Sequence, residues 1–244
     1  MKHAFLSLLC LLSAVGVARA QDLLPDLAVA DYGQHVVINI PQLRLFLFEN
    51  GEVRHVYPIA VGKNRTQTPL GEYTIRNKAY KPTWSIPLSI QKERAQQGLP
   101  AITSIPPGPD NPLGPVFVRF GDPSLGLGIH GTNAPSSVPG WRSHGCVRMK
   151  SESALKFADI VDSDSPVSVI YQRYALNQDD DGQLWLAVYT NPYKQKDDSL
   201  SHLTLALENW AQNNGAHIDM TRLQSLLKKP GKPFCLTCTE KNRK

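Results

Sequence analysis

The residues best suited to chemistry lie in two short stretches, His130-Gly131-Thr132-Asn133 and Ser143-His144-Gly145-Cys146-Val147-Arg148. A cysteine attacks carbonyls as its thiolate, so a free thiol pKa of about 8.5 has to be lowered by a neighbouring imidazolium or by backbone dipoles. Two histidines flank Cys146. His144 stands two residues before it, so an extended backbone places its imidazole on the thiol's face. His130 ends a strand-like run, and the stretch through Pro135, Pro139 and Gly140 lets the chain fold back and bring its ring to the sulfur. Gly145 removes a side chain just before the nucleophile, which makes the N–H groups of Gly145 and Cys146 candidates for an oxyanion hole. The Gly131 carbonyl can accept from the second ring nitrogen of His130 and orient it, with no carboxylate needed.

Spacing alone leaves three other readings open. Cys146 can be a buried cysteine that packs like a small hydrophobe. His130, His144 and Cys146 are a conceivable zinc or copper set. Cys146 can also be bridged to the tail. Of the 4 cysteines, Cys10 falls in the apolar N-terminus, and Cys235-Leu236-Thr237-Cys238 can close on itself. Cys146 is then left alone, which in an oxidising compartment is a liability unless the thiol has a function.

The start of the chain supplies that compartment. Met1-Lys2-His3 is followed by an apolar run from Ala4 to Val17 and by Ala18-Arg19-Ala20. A basic start, an apolar middle and a small-residue exit describe a secretory signal peptide over 1–20, cleaved after Ala20. The 244 residues are 41% hydrophobic and 19% charged, values of a soluble globular protein rather than a disordered one. After residue 20 no run approaches the ~20 apolar residues of a membrane span. The net charge of +5 is concentrated at the ends, in Lys2, Arg19 and a tail bearing Lys228, Lys229, Lys232, Lys241, Arg243 and Lys244. Nothing resembles a basic helix with stacking aromatics, so no nucleic-acid partner is expected.

The elements that must position the site read mainly as strands. Residues 21–35 carry no clear pattern and form a lead-in. Leu43, Leu45 and Leu47 alternate with Arg44, Phe46 and Phe48, and Asn50-Gly51 then signals a hairpin. Residues 82–115 are broken by prolines, with a short helix over 90–97 and two aromatics, Tyr80 and Trp84, near the start. Val116–Phe120, Leu127–His130 and Val167–Tyr171 read as strands. A helix begins near Ser151, which is expected to cap it. Beyond residue 171, a polar turn at 177–182 and one strand over 183–190 lead to a helix with Leu200, Leu203, Leu207 and Trp210 at core spacing, and Asp219 caps a last helix. The expected fold is mainly β, a β-sandwich domain at 36–171 with a short helix, followed by a small α/β appendage at 172–244.

The paired stretches resemble the signature of the L,D-transpeptidases, the YkuD-domain family: a His, a loop of about a dozen residues, then Ser/Thr-His-Gly-Cys, an apolar residue and Arg or Asn. Here these are His130, Ser143, His144, Gly145, Cys146, Val147 and Arg148. Thr68-Pro69-Leu70-Gly71-Glu72-Tyr73, Pro82-Thr83-Trp84 and Pro107-Gly108-Pro109-Asp110-Asn111-Pro112-Leu113-Gly114 agree with it. The tail is similar in outline to a periplasmic subgroup that cross-links the wall or attaches an outer-membrane lipoprotein to it. The resemblance implies a periplasmic enzyme in which Cys146 takes a peptidoglycan tetrapeptide stem as acyl donor, expels D-Ala and passes the thioester to an amine. His130 would be the base, with Gly131 orienting it and Gly145 shaping the oxyanion site. Arg148, His144, Ser143 and Trp84 would meet the substrate. It implies no metal or cofactor, and acylation of Cys146 by carbapenems. If water intercepts the thioester, the same site is an L,D-carboxypeptidase. A wall-binding protein with a vestigial site is the non-catalytic alternative. An exposed low-pKa thiol outside the cytoplasm would also oxidise, making activity depend on a reductant.

Overall fold

The computed structural model describes residues 22–196 and 199–238. The expected signal peptide at 1–20 and the end of the basic tail lie outside them. The first strands are β1 (Gln34–Asn39), β2 (Arg44–Glu49), β3 (Glu52–Pro58) and β4 (Ala60–Gly62). Asn50 and Gly51 join β2 to β3 with φ of 52° and 79°, the left-handed pair that matches the twist of a tight hairpin. The alternation in β2 sorts its side chains. Leu45 and Leu47 face the main core, and Phe46 and Phe48 face the opposite side. That opposite side is not solvent. Leu24, Leu27 and Val29 of the lead-in pack over Val37, Phe46 and Phe48, so the segment read as patternless is a cover for the outer face of the sheet.

The long β5 (Gly71–Tyr80) pairs through its first half with a late strand and through its second half with the site-bearing strands. The proline-rich stretch after it holds the small hairpin β6 (Trp84–Ser85) and β7 (Ser104–Ile105), with helix α1 (Leu88–Gln96) between them. Then come β8 (Val116–Phe120), β9 (Gly128–His130), β10 (Gly140–Ser143), β11 (Val147–Arg148), helix α2 (Ser151–Ile160) and β12 (Pro166–Ile170). Among the described residues the main sheet has ten strands in the order β10-β4-β11-β9-β8-β5-β12-β1-β2-β3. It curls so that both halves contribute to one core, which Ala154, Phe157 and Ala158 of α2 complete. The architecture is mainly β, as expected.

One expectation about α2 fails. Ser151 is not its cap: Lys150 holds the cap position without a side-chain bond. Ser151 Oγ instead donates to Thr132 O (2.9 Å) and accepts from Thr132 N–H (3.1 Å), tying α2 to the segment behind His130.

The appendage is a second small sheet, β13 (Tyr174–Gln178), β14 (Leu184–Val188) and β15 (Phe234–Cys235), with helices α3 (Ser199–Asn214) and α4 (Met220–Leu227). Leu203, Leu207 and Leu223 of the helices bury against Leu184, Leu186 and Val188, and Trp210 packs on the same cluster. Asp219 caps α4 by accepting from Arg222 N–H at 2.9 Å. Cys235 and Cys238 form a disulfide. No helix among the described residues is long and apolar enough to cross a membrane.

Candidate active site

Three neighbouring strands build the site by register. In the antiparallel pair β8–β9, Phe117 lies opposite His130 and Arg119 opposite Gly128. In the parallel pair β9–β11, Arg148 lies beside His130 and Val147 beside Ile129. Strand side chains alternate between faces. Val118, Ile129 and Val147 therefore enter the core, and Phe117, Arg119, His130 and Arg148 share the other face. Cys146 directly precedes β11, level with Gly128. The register thus brings Cys146, His130 and Arg148 to neighbouring positions on one face.

Glycine at 128 is required by close approach. A Cβ there would meet the tip of the Phe117 ring at 2.2 Å. The bare backbone lets the Gly128 N–H point at the sulfur. The Cys146 thiol donates to Gly126 O at 3.3 Å. His130 is buried, stacked on Phe117 with centroids 6.1 Å apart, and its Nδ1 donates to Gly131 O at 2.6 Å. That bond leaves Nε2 as the basic nitrogen.

Electrostatics push both groups towards their neutral forms. Burial pulls the His130 pKa down to about 4, and Arg148 adds to the fall; the carbonyls of Gly131 and Leu113 oppose it without winning. Burial likewise pushes the Cys146 thiol up, against the lowering pull of the Gly128 N–H, Arg119 and Arg148. These shifts favour thiol and neutral imidazole as the resting pair. Desolvation disfavours both charged forms, and the thiol bonds to Gly126 O rather than to the ring.

The turn before Cys146 also differs from expectation. Gly145 has φ +121°, a conformation that L side chains rarely adopt, so the backbone here is not extended. His144 consequently does not share the thiol's face. Its Nε2 sits 3.1 Å from Glu93 Oε2 of α1 and 3.3 Å from Lys63 Nζ. Ser143, expected to meet substrate, is 2% exposed. Its hydroxyl donates to Cys146 O (2.5 Å) and accepts from the Gly145 N–H (3.1 Å), closing the turn on itself. The Gly145 N–H is therefore engaged and is not an open oxyanion donor; the Cys146 N–H meets no acceptor among the described residues. Trp84 is half-buried in β6, paired with Ile105, and no hydrogen bond or ring contact joins it to Cys146 or His130.

Thr68, quoted above only as part of the resemblance, and Tyr193, which the sequence reading did not single out, support this turn from below. Thr68 Oγ1 donates to Gly145 O (2.8 Å) and accepts from Gly62 N–H (2.9 Å). Tyr193, from the segment after β14, donates to Gly62 O (2.8 Å) and accepts from Thr68 N–H (3.1 Å). Tyr193→Phe is expected to cost about 1–3 kcal/mol, because two buried backbone groups lose their partner. Chemical denaturation measures this, and an unchanged midpoint contradicts the clasp.

The rival readings of Cys146 narrow on geometry. It is free rather than bridged to the tail. Among the described residues no group of three or more His, Cys, Asp or Glu side chains is placed to hold a metal ion.

Comparison with known proteins supplies the family. The family model of the L,D-transpeptidase catalytic domain, YkuD, matches residues 33–169. The protein named "Probable L,D-transpeptidase ErfK/SrfK" of Escherichia coli K12 is 28% identical over 200 residues, covering 80% of this chain and 64% of that protein. "Probable L,D-transpeptidase YbiS" of the same strain is 31% identical over 159 residues, covering 64% and 51%. Among solved structures, L,D-transpeptidase 3 of Mycobacterium tuberculosis overlays with a TM-score of 0.44 at 21% identity, over 57% of this chain and 61% of that one. The chain spans less than two thirds of the length of these curated relatives. Since the family model covers more than half of the sequence, and its span contains both His130 and Cys146, the chain belongs to the YkuD L,D-transpeptidase catalytic-domain family.

Proposed function

We propose that this chain is a cysteine L,D-transpeptidase acting on peptidoglycan tetrapeptide stems in the periplasm. The observation that carries the reading is the placement of Cys146 and His130 on one sheet face, with His130 Nδ1 tied to Gly131 O so that Nε2 is the available base. The family assignment supports the substrate class, and the apolar N-terminus with its Ala18-Arg19-Ala20 exit supports export. Residues 36–171 would be the catalytic domain. The appendage at 172–244 would brace it through Tyr193.

The geometry suggests a general-base route. Substrate enters with thiol and imidazole neutral. Nε2 of His130 takes the thiol proton as sulfur attacks the carbonyl of the third stem residue. The Cys146 N–H donates to the developing oxyanion. As the tetrahedral species collapses, the C–N bond to the terminal D-Ala breaks, and His130 returns its proton to the leaving amine. An acceptor amine then attacks the thioester and gives its proton to His130. The C–S bond breaks and the thiol is restored. The acceptor would be a second stem or a lysine of a wall-attached lipoprotein.

Incubating the purified protein with disaccharide-tetrapeptide tests this. Mass spectrometry should show loss of D-Ala and dimers joined between diaminopimelates. Tripeptide alone would assign a carboxypeptidase, or a missing protein acceptor. An unchanged donor would refute acyl transfer on this substrate.

A further inference from the structure

Arg119 is absent from the family signature, yet its charge is felt at the reacting sulfur. Its guanidinium lies 5.3 Å from the centroid of Phe117, whose ring in turn stacks on His130. The register puts Arg119 opposite Gly128, the residue whose N–H points at Cys146. Arg119 is half-buried and joins none of the ion pairs among the described residues, whose cations are Arg44, Arg54, Arg76, His144 and Lys156. Arg148 is the other cation near the sulfur. It is more enclosed, with one arm donating to Ser137 Oγ at 2.9 Å and its Nε buried without an acceptor. Two guanidiniums near a nucleophile, neither of them ion-paired to a carboxylate among the described residues, form a pocket of positive potential. Stacking fixes the plane of Arg119 and leaves its fork of N–H donors open, the geometry that suits a carboxylate.

We infer that Arg119, held on the Phe117 ring, binds a substrate carboxylate next to the scissile carbonyl and so makes this enzyme selective for acidic acyl donors. This rests on the acyl-transfer reading above and names what its site recognises. Two carboxylates of a tetrapeptide lie near that bond: the terminal carboxylate of the departing D-Ala and the side-chain carboxylate of diaminopimelate. Both present the same chemistry to the guanidinium. Arg119 is then a specificity residue that acts in donor binding, whereas proton transfer stays with His130.

The test uses the full-length mature protein and three tetrapeptide donors: the free acid, the D-alanine carboxamide and the diaminopimelate side-chain amide. A charge-assisted pair is worth about 1.5–3 kcal/mol, so the wild type should prefer the acid over one of the amides by roughly 10- to 100-fold in kcat/KM. The amide that is discriminated against identifies which carboxylate is bound. In Arg119→Gln that preference should collapse towards unity, with the loss in KM rather than kcat. Arg119→Lys, which keeps the charge without the flat fork, should fall between. Because each preference is a ratio within one variant, a general loss of folded enzyme cancels. A preference that persists undiminished in Arg119→Gln, or a wild type indifferent to all three donors, overturns the role of Arg119. A wild type that releases no D-Ala from any donor overturns the acyl-transfer reading itself.

Discussion

Cys146→Ala is expected to lower D-Ala release from a tetrapeptide donor by roughly 10⁴-fold or more, the scale seen when a covalent nucleophile is removed. The site offers no substitute. Ser143 is buried and spends its hydroxyl on the turn, and Ser151 is held against Thr132. The variant should remain folded. Cys146 is only partly buried, and its sulfur meets only backbone groups, the Gly126 carbonyl and the Gly128 N–H. Thermal melting alongside a D-Ala assay separates loss of chemistry from loss of structure. Residual activity within tenfold of wild type in a folded Cys146→Ala protein would place the nucleophile elsewhere.

Removing the base should cost less. General acid–base catalysis by a positioned side chain contributes about 10²–10⁴-fold, and His130→Gln should lose an amount in that range. The pH profile is the more specific expectation. With the His130 pKa held near 4 and the thiol pushed up, the productive state of the free enzyme is neutral imidazole with protonated thiol. As pH falls towards 4 the imidazole takes a proton and activity declines. As pH rises the thiol ionises only beyond its ordinary range. The kcat/KM for D-Ala release should therefore stay level from about pH 5.5 to 8. A preformed thiolate–imidazolium pair predicts a different curve, with the imidazolium titrating away as pH rises. A bell centred near pH 6 with both limbs inside that window would show that the ion pair, and not the neutral pair, is the reacting form.

What could be read before any coordinates was local. Asn50-Gly51 announced its hairpin because two adjacent residues must both take positive φ. Asp219 announced its helix because a cap acts within three residues. The two stretches around His130 and Cys146 were legible for a related reason, since their residue types narrow the chemistry to a few options. What stayed hidden depends on which strands become neighbours. Phe117 and Arg119 alternate outward in a segment read correctly as a strand, but only the pairing of β8 with β9 sets them against His130 and Gly128. The lead-in looked patternless because Leu24, Leu27 and Val29 follow no single period while still reaching one apolar surface. His144 was misplaced because an i, i+2 rule assumes extended backbone, and Gly145 at positive φ breaks it. The direction of the thiol shift was not legible because burial, which dominates it, belongs to the assembled site and not to spacing.

The central claim is that Cys146 carries the acyl group. Its most direct test is to mix the reduced, folded protein with tetrapeptide donor, quench in acid within the turnover time, and measure intact mass followed by peptide mapping. The expected result is an adduct equal to the donor less D-Ala, located on the peptide containing Cys146 and absent from Cys146→Ala. Release of D-Ala with no adduct at any quench time, or an adduct on another residue, would contradict the account.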